Sequence, residues 1–250
     1  MSAARAEYLA ALGLERWVRR AMPGSAVGLG VPEAAPPSPS PVPRPAPSRR
    51  ASPAPAAGPA ADREAGLDWV ALKRRVAGCE RCTLSKTRTQ TVFGVGSTSA
   101  DWLIVGEAPG AEEDARGEPF VGRAGQLLNS MLRAIGLQRE QVYIANVLKC
   151  RPPNNRDPAP SEAGECLPYL EQQIALLKPK ILLAVGRIAA QNLLRSEVPV
   201  GRLRQQVHRF GRSQVPLVVT YHPAYLIRTP AEKRKAWEDL KFAREVCARV

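Results

Sequence analysis

"DWLIVGEAPGAEED", residues 101–114, runs an apolar segment straight into an acidic turn with two glycines. The run Trp102–Gly106 has no polar side chain, as expected of a strand covered on both faces of a sheet. Similar runs follow in "VYIANVL" (142–148), "KILLAVG" (180–186) and "PLVVTYH" (216–222). Helical patterns occupy 124–135, 160–178, 187–195 and 231–249. Short apolar strands alternating with helices predict an α/β fold, a three-layer α/β/α arrangement with a central, mainly parallel four-stranded sheet. Such sheets bind ligands at the carboxyl ends of their strands. The segments "GEAPGAEED" (106–114), "NVLKCRPPNNRD" (146–157) and "HPAYLIR" (222–228) each follow or close a strand and should meet in one crevice.

The acidic turn is not a phosphate cradle. A Walker loop needs a Lys-Ser/Thr pair after its second glycine, which Gly106–Gly110 does not supply. "GVGSTS" (94–99) lacks the third glycine of a dinucleotide fingerprint and precedes the strand instead of following it.

Composition divides the chain. Residues 1–22 include "AEYLAALGLERWVRRA" (6–21), an amphipathic helix pattern with Tyr8, Leu9, Leu12, Leu14 and Trp17 as its apolar set and a candidate site for a protein partner. Residues 23–62 hold 12 of the 24 prolines and read as a Pro/Ala/Ser-rich disordered linker. The folded unit is expected over 63–250. The 36 Lys and Arg against 23 Asp and Glu leave a net charge of +13, which points to a polyanion, nucleic acid above all. No apolar run approaches the roughly 18 residues of a membrane span, so a cytoplasmic protein without membrane contact is expected.

Five cysteines in such a chain are metal ligands or free thiols more often than disulfides. Cys79 and Cys82 form "CERC"; Cys150 and Cys166 stand 16 positions apart. Four thiolates can take zinc or an iron–sulfur cluster, and spacing alone slightly favours zinc. Cys247 stands apart and reads as a packed thiol.

Taken together, "GEAPGAEED", "EPFVGRAG" (118–125), "NVLKCRPP" and "HPAYLIR", with a CxxC upstream and a fourth cysteine downstream, resemble the family-4 uracil-DNA glycosylases over about residues 64–250. The resemblance implies a [4Fe–4S] cluster on Cys79, Cys82, Cys150 and Cys166, in place of zinc, and uracil-containing DNA as the substrate of a monomeric enzyme. It places Glu107 and His222 in catalysis. Glu107 orients the attacking water and stabilises a cationic sugar; His222 donates to uracil O2 as the base leaves. Gly106, Ala108, Glu113, Phe120 and Asn146 fall on the base pocket, with Phe120 stacking on a flipped uracil and Asn146 reading N3–H and O4. Tyr225 and Leu226 would form a minor-groove wedge, with Lys149, Arg151, Arg156 and Arg228 on phosphate. Glu112 and Asp114 read as charges favouring a helix N-terminus, and His208 as a surface or backbone contact. No lysine stands out as a nucleophile, so a monofunctional hydrolase without lyase activity is expected. Two rivals remain at this level: an iron–sulfur redox or polymerase-associated protein without glycosylase activity, and a weak uracil-DNA binder.

Overall fold

The structure, a computed structural model, describes residues 66–211 and 214–250. The helix expected over 1–22 and the linker over 23–62 lie outside the described residues.

Six strands form one sheet: β1 (Val95–Gly96), β2 (Trp102–Gly106), β3 (Tyr143–Asn146), β4 (Ile181–Val185), β5 (His208–Phe210) and β6 (Val215–Thr220). Their order is β1-β3-β2-β4-β6-β5. The four strands expected from the apolar runs are the central ones and pair in parallel, β3 and β4 flanking β2, and β6 flanking β4. The sheet exceeds the expected four strands because β1 and β5 add antiparallel edges. They are two and three residues long, too short to register as alternation.

Side chains alternate across the central strands as the pleat requires. Leu103 and Val105 of β2 face one core with Ala145, Leu182, Ala184, Leu217 and Val219. That core is covered by α1 (Trp69–Ala77), α4 (Pro160–Leu177), α5 (Arg187–Leu194) and α6 (Val200–Leu203). Trp102 and Ile104 face the other core with Ile144, Leu183 and Val218, beneath α3 (Arg123–Ala134) and α8 (Lys233–Cys247). The three-layer α/β/α arrangement holds. Two short helices, α2 (Ala111–Arg116) and α7 (Pro223–Arg228), start within four or five residues of the ends of β2 and β6, at the mouth of the sheet.

Candidate active site

The carboxyl ends of β2, β3, β4 and β6 open into one cleft whose walls include Glu107, Phe120, Asn146, Arg187, His222 and Tyr225. The three loop segments do converge. The β2–β3 pairing continues past the strands, since Val147 N donates to Gly106 O (3.0 Å) and Leu148 N to Glu107 O (3.0 Å). "GEAPG" and "NVLK" are thus held edge to edge, with Gly106 opposite Asn146 in register.

The floor of the cleft explains why residue 106 is glycine. A Cβ there would lie 2.4 Å from Asn146 Oδ1 and 2.7 Å from the Phe120 ring. Asn146 is buried, and its Oδ1 has no hydrogen-bond partner. A buried amide oxygen without a donor costs about 1–3 kcal/mol, so this atom is set to receive an N–H from something that enters.

Phe120 adopts a left-handed backbone (φ 54°) that bulky residues avoid. Arg139 holds it there, donating to Pro119 O (2.6 Å), Phe120 O (3.3 Å) and Asn129 Oδ1 (3.2 Å). Glu113 closes the loop from the other side: it accepts from Gly110 N, Val121 N and Gly122 N at 3.0–3.2 Å. It is a clasp between the β2 turn and the Phe120 loop.

His222 caps α7, its Nδ1 accepting from Ala224 N (3.1 Å). Burial, reinforced by the Arg228 guanidinium and opposed by Glu113, lowers its pKa to about 4. The ring is therefore neutral near pH 7, and because Nδ1 accepts, the proton sits on Nε2. Its centroid lies 5.6 Å from that of Phe120. Gly186 lets the histidine approach, because it has φ +99° and a Cβ there would stand 2.8 Å from His222 Cβ.

Glu107 lines the same cleft with Ala108. Burial and the Asp157 carboxylate raise its pKa to about 7, against the opposing pull of Arg187. Asp157 and Arg187 form an ion pair. Sequence reasoning passed over both because each looks like an ordinary solvated charge. Tyr221, stacked on Tyr225 (5.2 Å), was passed over as well.

Several expected contacts need correction. Lys149 is not a phosphate ligand: it is 1% exposed, and its Nζ donates to Asn146 O (2.8 Å) and Gln173 Oε1 (2.7 Å). Its flanking residues Val147, Leu148 and Cys150 are apolar, which was the available signal. Leu226 is not a wedge, being 1% exposed and packed in the α3–α8 core. Pro223 and Leu226 are the buried pair of α7, three residues apart on one face, which leaves Tyr225 and exposed Arg228 toward the cleft. Arg156 is engaged by Glu162 through two bonds (2.9 and 2.7 Å). Asp114 does more than favour a helix end: it is buried and accepts from Thr89 N (3.0 Å) and Gln90 N (3.4 Å). Arg151 is half-buried, its Nε donating to Asn155 Oδ1 (2.8 Å). His208 lies in β5, its Nε2 2.9 Å from Leu203 O. Cys247 packs partly buried against the α3–α8 core.

Behind Asn146, one small space is lined by Cys79, Cys82, Cys150 and Cys166 together with Lys149. Arg88 Nη1 donates to Cys150 Sγ (3.1 Å) and Lys149 N to Cys166 Sγ (3.2 Å). Among the described residues, no three His, Cys, Asp or Glu side chains are grouped so as to hold a metal ion. No helix among them is long and apolar enough to cross a membrane.

Comparison with known proteins shows the family. Residues 93–241 match the family model described as "Uracil DNA glycosylase superfamily". The type-4 uracil-DNA glycosylases of Archaeoglobus fulgidus and Pyrobaculum aerophilum are each 44% identical, over 182 and 180 residues, covering 70% of this chain and 92% of each relative. That of Thermotoga maritima is 40% identical over 177 residues, 69% of this chain and 91% of its own. The chain belongs to the uracil DNA glycosylase superfamily.

Proposed function

We propose that this cleft excises uracil from DNA in four roles: Asn146 reads the base, Phe120 stacks on it, His222 stabilises it as it leaves, and Glu107 manages the water. The orphaned Asn146 Oδ1 supports this most directly. It is a buried acceptor that, like the Phe120 ring, borders Gly106, and uracil brings the N3–H it lacks. The flipped base would lie against Phe120, with Gly106 and Ala108 close enough to exclude water and Glu113 bracing the wall.

Breaking the bond between N1 and C1′ develops negative charge on the base and positive charge on the sugar, so catalysis is chiefly electrostatic. Nε2–H of neutral His222 donates to uracil O2 as its charge grows. An imidazolium is not needed, and burial disfavours it. Glu107, ionised, would orient a water toward C1′ and stabilise the cationic sugar; burial, Asp157 and Arg187 set how readily it ionises. Lys149 turns its amine into the protein, onto Asn146 O and Gln173 Oε1. Tyr225 takes the wedge role alone, with Arg228 and Arg151 on the phosphates.

The proposal extends to the cluster. Cys79, Cys82, Cys150 and Cys166 line one space; four thiolates suit zinc or an iron–sulfur cluster, and the resemblance to the family-4 enzymes favours the [4Fe–4S] cluster. Burial raises the pKa of Cys82, Cys150 and Cys166, the last to about 12, so they become thiolates when a metal centre displaces their protons. When bound, a [4Fe–4S] cluster supplies a covalent cross-link between the CxxC loop, the Asn146 loop and α4, and the hydrolysis requires no redox step of it. The proposed catalytic unit is residues 63–250, a monomer acting on cytoplasmic DNA.

Incubation of the purified chain with a uracil-containing oligonucleotide, followed by alkali, should cut the strand at uracil and leave matched cytosine and thymine strands whole. An intact uracil strand after prolonged incubation would return the reading to a redox protein or a binder.

A further inference from the structure

The mechanism leaves Lys149 without work, yet it is the most completely buried cation of the site. The two acceptors of its Nζ, Asn146 O and Gln173 Oε1, are both neutral. Gln173 cannot yield easily, because its Nε2 is committed to Phe93 O (3.0 Å) and Tyr143 OH (3.3 Å). A buried ammonium with only neutral partners is unfavourable by several kcal/mol unless an anion stands nearby. Lys149 lines the same space as all four thiols, and its backbone N–H already donates to Cys166 Sγ.

We infer that Lys149 is the buried counter-charge of the four-thiolate cage and the positioning residue that ties this cage to Asn146; the inference rests on the cluster reading above. The cage, carrying more negative charge than its irons neutralise, holds the ammonium in place. The ammonium in turn fixes the carbonyl of Asn146, so the orientation of the base reader depends on an occupied cage.

The test uses the loaded protein and two variants. Lys149→Met removes both the charge and the donor to Asn146; Lys149→Gln removes the charge and keeps a donor. Loss of a buried positive charge makes the cluster harder to reduce. Both variants should therefore show a lower cluster reduction potential and several-fold faster bleaching in air. Lys149→Met should in addition raise KM for uracil-DNA more than Lys149→Gln does. A role in packing alone would not move the potential. Should Lys149→Met fail to fold, Lys149→Gln carries the comparison. Loaded variants with an unshifted potential overturn the inference while leaving the cluster reading intact; wild-type protein that is active and free of iron overturns both.

Discussion

Among single residues, Glu107 gives the clearest handle on the chemistry. With a pKa of about 7, it is half ionised at neutral pH, and only the carboxylate can orient water and face a cationic sugar. kcat/KM for uracil excision should rise with pH and level off above about 7, since this parameter reports groups of the free enzyme. Glu107→Gln should erase that limb and lower the rate about 10²–10⁴-fold. Stability should move the other way. The folded-state pKa lies above the ordinary value of 4.5, so the folded protein holds this proton more tightly than the unfolded chain. The stabilisation is complete below about pH 4.5 and disappears as pH rises through 7. Thermal unfolding at pH 5 and pH 8 should show Glu107→Gln flattening this slope, with a relative gain on the order of 2 kcal/mol at pH 8. An acidic limb unchanged in Glu107→Gln would assign it to another group.

The short elements at the cleft mouth depend on a chain of contacts that begins in the core. Asp239 of α8, fully buried, accepts from Arg204 Nε (2.7 Å), Gln205 Nε2 (2.8 Å) and Thr220 Oγ1 (2.8 Å). The Arg204 guanidinium lies 5.0 Å over the Tyr221 ring, and Tyr221 stacks on Tyr225 of α7. This ladder braces the side chain left as wedge once Leu226 is assigned to the core. Arg204→Lys keeps the charge but loses the planar stack. It should lower excision from duplex several-fold more than from single-stranded DNA, where no stack needs filling; equal losses on both substrates would show a general folding defect. Much of this level was legible in sequence. The four central strands and the helices α3, α4, α5 and α8 follow from hydrophobic runs long enough to carry a period. What escaped was the nine-residue α1 and several short or local features: β1, β5, α6 and the inward turn of α7. Lys149 escaped because lysine is rarely buried, and Asp157–Arg187 because the pairing is made only when two loops meet.

For the whole molecule, four strand ends bring Glu107, Asn146, Gly186 and His222 from positions up to 115 residues apart into one cleft. That convergence was legible from the α/β pattern, whereas the roles within it needed the resemblance and then the geometry. The central claim is that the cleft chooses uracil through the Asn146 amide. Uracil presents a donor at N3 and an acceptor at O4; cytosine presents the reverse. Each mismatched buried polar group costs about 1–3 kcal/mol, so two can exclude cytosine by orders of magnitude. An aspartate at 146 cannot donate to O4 when ionised, and it can accept from cytosine N4. The decisive measurement is single-turnover excision by Asn146→Asp on matched uracil and cytosine oligonucleotides across a pH series. Uracil excision should collapse, with weak cytosine excision that grows as pH falls and the protonated carboxyl donates to N3. Uracil removal as fast as in the unmutated protein would contradict the account.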